Sequence, residues 1–253
     1  MFVCPRCGSK HVTRLSTRKK WQCKGCRYQF SVTAGTIFHK TYVDLPRWMM
    51  AVWLMCNSPK GCSSAQIQRT IGVTYKTAWY MTHRIRKAMA ANCVEVKLAG
   101  NVEADIGIVK STGGLKTKQG RMAPSTYVLG MVSRDSKAIQ LQVVKNLRTY
   151  EIERVFAKHI DDVEDIYTDQ ARSFGTLWKF GHLFMVNHSK EYVHGIAHTN
   201  NIESAWSLFK RGLTGIFHHV SAKHLQAHLY EFAFRYSHRD EKSKLMELVL
   251  QAC

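Results

Sequence analysis

The chain has 253 residues, with 37 Lys and Arg against 18 Asp and Glu and a formal net charge of +19. Such a charge calls for a polyanionic partner, because each neutralised phosphate releases condensed counterions, and a 45% hydrophobic content excludes a disordered basic tail. No run of eighteen apolar residues occurs, so no membrane span is expected. Residues 1–10 lack the apolar core of a signal peptide.

Residues 1–40 are rich in Cys, Lys and Arg. Cys4-Pro5-Arg6-Cys7 and Cys23-Lys24-Gly25-Cys26 form two CxxC knuckles, fifteen residues apart. Four thiolates so spaced can surround one zinc ion tetrahedrally. A redox CxxC would need only one knuckle. Cys4, Cys7, Cys23 and Cys26 are therefore expected to hold a structural zinc, with Gly8 and Gly25 supplying the turns. The ribbon presents Arg6, Lys10, Arg14, Arg18, Lys19, Lys20, Lys24 and Arg27 to phosphates. Trp21, Tyr28 and Phe30 read as its packing. Cys56, Cys62, Cys93 and Cys253 show no ligand spacing and read as small buried hydrophobes.

Residues 41–97 read as helical. A core helix over 45–55 precedes a helix-turn-helix pattern over 63–79, with Ser63 or Ser64 as first cap, Gly72 in the turn and Thr74 as second cap. The second helix places Tyr75, Lys76, Thr77, Tyr80 and Arg84 on accessible positions, ready for a DNA groove. An ordinary helical hairpin is the plainer alternative.

Residues 98–253 begin with strands. Val102, Ala104, Ile106 and Ile108 alternate with Glu103, Asp105 and Gly107, predicting a half-buried strand. Further strands are expected over 127–132, 139–144, 166–168 and 183–186, with turn chemistry at 133–137. Helices are expected over 150–159, 171–180, 201–211 and 222–239. This order implies a mixed five-stranded sheet with helices on its faces. His224 and His228, four residues apart, read as helix-surface residues, since no acid follows at ligand spacing.

Three acids stand out. Asp105 lies mid-strand, Asp169 follows a short apolar strand, and Glu203 falls in the first turn of a helix. Acids at such positions can converge over a sheet and hold two divalent ions for phosphoryl transfer. Each also has a plain structural use: Asp105 as a solvated strand residue, Asp169 as a helix cap, and Glu203 in a capping box after an Asx cap at Asn200. Lys210 lies two helical turns beyond Glu203 on the same face, where a cation can meet phosphate.

These pieces together resemble insertion-sequence transposases of the DDE type, from the zinc-ribbon group related to Merlin elements. The resemblance rests on the paired knuckles, Ala78-Trp79 with His83-Arg84-Ile85-Arg86, Val102-Glu103-Ala104-Asp105 and Tyr167-Thr168-Asp169. It continues through His198-Thr199-Asn200-Asn201-Ile202-Glu203 with Trp206, Lys210, Arg211 and Gly212, then His218-His219-Val220-Ser221 and 231–236. It implies a ribonuclease H-like catalytic domain over 98–253, after a zinc ribbon (1–40) and a helix-turn-helix region (41–97). It implies an enzyme that frees a 3′ hydroxyl at transposon ends and transfers that strand to target DNA, in the cytoplasm at the nucleoid. Asp105, Asp169 and Glu203 would hold magnesium or manganese, with Lys210 in the catalytic set. Terminal inverted repeats and target DNA are the expected partners, bound by a homo-oligomer without a membrane. Tyr75, Lys76, Thr77, Arg84, Arg211 and a basic loop over 110–121, with Lys116 and Lys118, are the expected DNA contacts. One departure is visible: family members usually follow the first Asp with Glu and then a Gly-Gly pair, whereas Asp105 is followed by Ile106-Gly107. Glu103, on the same strand face, is the rival ligand. A catalytically inactive DNA-binding regulator derived from a transposase is the alternative.

Overall fold

The computed structural model describes residues 3–18, 20–109, 125–186 and 198–251. Its N-terminal segment forms three short antiparallel strands, β1 (Val12–Leu15), β2 (Lys20–Cys23) and β3 (Gln29–Phe30). Strands this short bury too little to persist unaided. Phe30 is buried with Cys4 and Cys23, while Val12, Trp21 and Tyr28 pack around them, as expected of ribbon packing.

Three helices follow: α1 (Leu45–Asn57), α2 (Ser64–Ile71) and α3 (Tyr75–Val94). The expected punctuation is in place. Ser63 Oγ accepts from the Gln66 N–H at 3.2 Å, Gly72 ends α2 in the left-handed region at φ 68°, and Thr74 Oγ1 accepts from the Thr77 N–H at 3.3 Å.

The remainder builds a five-stranded sheet from β4 (Leu98–Val109), β5 (Thr126–Ser133), β6 (Ile139–Val144), β7 (Ile160–Asp169) and β8 (His182–Val186). Its order is β6-β5-β4-β7-β8. The β4–β5 and β5–β6 pairs are antiparallel, and β4–β7 and β7–β8 are parallel. This is the mixed sheet expected. Helix α4 (Thr149–His159) connects β6 to β7, and α5 (Asn200–Gly212), α6 (Ala222–Ser237) and α7 (Lys242–Gln251) follow β8.

Four local expectations need correction. β4 is covered on both faces rather than half-exposed: Glu103, on the supposedly polar side, is as buried as Val102 and Ala104. β7 begins six residues before the expected 166, because parallel pairing with β4 carries its polar start (Asp161, Asp162, Glu164) as strand. The stretch 171–180 is two 3₁₀ turns, Arg172–Phe174 and Leu177–Lys179, separated at Gly175; the buried Phe174 and Leu177 stand three residues apart, one 3₁₀ turn. Helix α7 was not anticipated.

The sheet separates two cores. On one face, Val102, Ala104, Leu129, Met131 and Ile166 pack with Ile152 and Phe156 of α4. On the other, Val128, Val132, Ile139 and Leu141 share a single cluster with Ile202 and Trp206 of α5, Leu229 and Phe232 of α6, and buried residues of α1, α2 and α3. A buried ion-pair network crosses that second core. Arg86 of α3 donates through Nε to Glu231 Oε2 of α6 at 2.6 Å, and Arg235 Nη2 lies 3.3 Å from Glu231 Oε1. Arg235 Nη1 also donates to the carbonyls of Ser58 and Pro59. Burial alone would raise the Glu231 carboxyl, but the two guanidiniums hold it below its ordinary value.

Candidate active site

The second face also carries the acids. Ala104 of β4 pairs with Thr168 of β7 in parallel register. Asp105 and Asp169 are the next residues on these two adjacent strands and so fall on one face. Asp105 Oδ1 accepts from the Ile106 N–H at 2.7 Å, and Asp169 Oδ1 from the Ala171 N–H at 3.2 Å. Glu203 arrives from the first turn of α5, where Thr199 Oγ1 donates to its Oε1 at 2.9 Å.

Helix α5 can come this close because the sheet beneath it is stripped of side chains. A Cβ on Gly130, which pairs with Asp105, would fall 2.6 Å from Trp206 Cζ2 and 2.8 Å from Ile202 Cδ1. A Cβ on Gly107 would fall 2.8 Å from the same indole. The Gly107 that follows Asp105 therefore serves the docking of α5.

Glu103 is fully buried and points to the same face, but it is engaged elsewhere. It accepts from Arg134 Nε at 2.8 Å, from Asn201 Nδ2 at 2.8 Å, and from the N–H groups of Asn201 at 2.9 Å and Ile202 at 3.1 Å. It thus caps α5 from another element, satisfying amides that a helix start leaves without partners. The structural N-cap residue is Thr199, not Asn200, and its hydroxyl goes to Glu203 rather than to a backbone amide. Arg134 completes the anchor: its Nη2 donates to the His198 carbonyl at 2.6 Å, and its guanidinium lies 3.7 Å over the Tyr167 ring. His198 Nδ1 sits 3.3 Å from Glu103 Oε1 without hydrogen-bond geometry. Neither the Glu103 anchor nor Arg134 had a sequence signal, because Arg134 reads only as a turn residue.

The electrostatics separate the two acids of β4. Burial pushes the Asp105 carboxyl above its ordinary value, and Asp169 and Glu203 push it further, against the pull of the Ile106 N–H. Three carboxylates crowded at a partly desolvated spot are a donor set suited to hard divalent cations, which prefer oxygen. Their oxygens do not all meet within 4.8 Å; among the described residues only the four cysteines form such a group. Carboxylates serving two ions about 3.5–4 Å apart need not converge on one point.

The cysteine quartet does converge. Cys4 and Cys26 Sγ lie 3.6 Å apart, and Cys7 and Cys23 Sγ 3.5 Å apart. A tetrahedron built on Zn–S bonds of about 2.3 Å has edges of about 3.8 Å, so the quartet fits zinc. The residue after each knuckle is left-handed, Gly8 at φ 70° and Arg27 at φ 57°. Gly25 is not, so the second turn owes nothing to that glycine.

The expected DNA contacts fare unevenly. Tyr75 and Lys76 are exposed at the start of α3, as are Lys210 and Arg211 in the last turn of α5. Thr77 is half-buried, its Oγ1 2.9 Å from Thr74 Oγ1. Arg84 is turned onto its own chain, donating to the His39 carbonyl at 2.8 Å with its guanidinium 5.0 Å over Tyr80. Lys116 and Lys118, with the 110–121 loop, lie outside the described residues. His228 is buried rather than on the helix surface, because α6 packs that side toward α3. Cys56, Cys62 and Cys93 are buried as expected, and Cys253 lies outside the described residues. Among the described residues no helix is long and apolar enough to cross a membrane.

A zinc-binding ribbon ahead of an acid-bearing mixed sheet is the layout of a transposase-type protein. Residues 97–237 match the ISXO2-like transposase domain and residues 1–29 the transposase zinc-ribbon domain, and the chain belongs to this transposase family. An uncharacterized protein in transposable element ISH50 of Halobacterium salinarum is 29% identical over 255 residues, covering 92% of this chain and 84% of its own. Among solved structures, a chain from the simian T-cell lymphotropic virus intasome in complex with PP2A regulatory subunit B56 gamma aligns with TM-score 0.36 and 12% identity, over 68% of this chain and 67% of that one. A likeness that weak carries no argument about function.

Proposed function

We propose that this protein is an active DNA transposase that cleaves transposon ends and joins the freed 3′ hydroxyl to target DNA. The observation that carries this reading is the gathering of Asp169 and Glu203 around the part-buried Asp105, close enough for both to raise its proton affinity. The sheet order, three antiparallel strands extended by two parallel ones, is consistent with a ribonuclease H-like catalytic domain.

Asp105, Asp169 and Glu203 would hold magnesium or manganese, which when bound activates the attacking oxygen and stabilises the leaving one. The chain's own residues do the positioning. Glu103 and Arg134 fix the start of α5, which sets Glu203 against the two strand acids. Lys210, exposed farther along α5, neutralises a strand phosphate near the reacting one, and Arg211 extends that cationic edge. Hydrolysis and strand transfer need no covalent protein–DNA intermediate, so no Ser or Tyr nucleophile is assigned. Helices α2 and α3 act as a helix-turn-helix, with Tyr75 and Lys76 at the groove. The zinc ribbon adds phosphate contacts, and a homo-oligomer brings two ends together.

The test is cleavage and strand transfer on DNA carrying the element's own ends, with magnesium or manganese. Asp169→Asn is expected to abolish both steps while leaving DNA binding by gel shift within about twofold. Turnover by that variant, or inactivity of zinc-loaded wild-type protein on authentic ends, overturns the reading.

A further inference from the structure

Away from the acids, a cavity of about 380 Å³ opens between α2, α3, α6 and the segment 216–219. Among the described residues its lining has no carboxylate. It includes the first turn of α2, Arg69, Arg86, His83, His228 and Trp79. The volume falls within the roughly 300–1,000 Å³ usual for small-ligand sites and is more than a lone phosphate needs.

Several features make this a built site rather than a surface dent. His228 is 9% exposed, and its Nδ1 has no hydrogen-bond partner. That nitrogen is enclosed by protein, so a molecule in the cavity meets the other edge of the ring. Phe217 packs edge-on against this imidazole at 4.5 Å. The amides of Ser64 and Ala65, in the first turn of α2, have no intrahelical acceptor and carry the positive end of the helix dipole. Arg69 is exposed beside them, whereas Arg86 is buried and held by Glu231. Trp79 is 41% exposed, steadied by His83 at 4.2 Å and His224 at 5.8 Å between ring centroids. Tyr75, also on the lining, is 54% exposed. Phosphate-binding groups and an aromatic platform thus line one enclosure. A metal does not suit it: among the described residues no three imidazole, thiolate or carboxylate ligands converge there.

We propose that this pocket holds one nucleotide unit of a DNA strand. The phosphate lies against the α2 amides and Arg69, with a hydrogen bond to His228, and the unstacked base lies on Trp79. Phosphates favour helix N-termini, and a base on an indole is a sequence-tolerant contact. With His83 and His228 held down to about 4 and about 3 by burial, both imidazoles enter the complex neutral at pH 7. The strand as the source of the nucleotide rests on the transposase reading, but the pocket's chemistry does not.

The experiment is calorimetric titration of the zinc-loaded full chain with 5′-dAMP, inorganic phosphate, deoxyadenosine and single-stranded dA8. 5′-dAMP is expected to bind at least about tenfold tighter than phosphate or nucleoside, and dA8 at least as tightly as 5′-dAMP. Arg69→Ala and Trp79→Leu, both at exposed positions, should each weaken both nucleotides by about tenfold with unchanged melting temperature. Equal affinities for wild-type and both variants overturn the pocket. 5′-dAMP binding tighter than dA8, or competition by hexaglutamate as strong as that by dA8, overturns a DNA strand as the occupant. Cleavage assays on the same preparations report separately on the transposase reading: inactive protein that still binds 5′-dAMP in an Arg69-dependent manner would sink that reading and leave the pocket standing.

Discussion

Two regions of this molecule bury carboxylates and treat them in opposite ways. At the α3–α6 contact, Glu231 lies between Arg86 and Arg235, which hold its carboxyl below the ordinary value. On the α5 face of the sheet, Asp105 lies beside Asp169 and Glu203, and its carboxyl is raised. The first arrangement is neutralised from within and joins elements. The second concentrates like charge, which costs stability. Glu103, two residues before Asp105 on the same strand face, falls in the first class through Arg134 and the α5 amides. Buried acids with internal partners are structural; on the proposed reading, the acid whose neighbours are acids belongs to the reaction site.

The comparison breaks most sharply at Asp105. Asp105→Asn should lower strand cleavage by about a thousandfold or more, read as initial rates on end-containing DNA. The same change should raise the melting temperature of the protein without divalent ions at pH 7. The sign follows from the raised carboxyl. The folded chain binds that proton more tightly than the unfolded one, so this stabilisation is complete below the ordinary 3.8 and is lost as pH rises through the folded value. Wherever the group is ionised it is a liability that amide replacement removes. A lower melting temperature would place Asp105 with the structural acids instead.

Next in size is Glu231→Gln. It leaves two buried guanidiniums facing each other without a counter-charge, at a cost of about 3–5 kcal/mol, read as a shift in urea midpoint. A cost below about 1 kcal/mol would mean that the network adds little.

Acid should attack the same interface. Burial, helped by Arg86, His83 and His224 and opposed by Glu231, holds His228 down to about 3. Above its ordinary 6.5, folded and unfolded chains bind equal numbers of protons there. Between pH 6.5 and 4 only the unfolded chain takes one up, so His228 alone should lower stability by about 3 kcal/mol over that window, and His83 and His159, held down to about 4, act in the same direction. A flat urea midpoint from pH 6.5 to 4.5 would contradict this.

The smallest effect is expected from Glu103→Gln. The amide keeps one acceptor for α5 but turns a donor group toward Arg134, costing about 1–3 kcal/mol. If the anchor matters for the site, more magnesium will be needed for half-maximal cleavage, while DNA binding is unchanged. Cleavage loss as complete as in Asp105→Asn would make Glu103 a ligand after all.

Much of this was legible in the sequence wherever the physics is local. Four cysteines in two knuckles make a zinc site because each knuckle sets its own sulfurs, and the structure draws all four within 4.8 Å. Ser63, Gly72 and Thr74 punctuate α2 and α3 as side-chain chemistry dictates, and strand periodicity yielded the mixed sheet. Other features depended on partners far along the chain. Glu103 and Asp105 are equivalent by period, and only the arrival of Asn201 and Ile202, 98 and 99 residues later, gives one of them to α5. The polar start of β7 is strand because β4 pairs with it, and no alternation announces that. His228 reads as a surface residue on its own helix and is buried by α6 packing toward α3. Local chemistry chose the cysteine quartet and the caps; tertiary packing decided which buried charges were neutralised from within and which were set beside like charge.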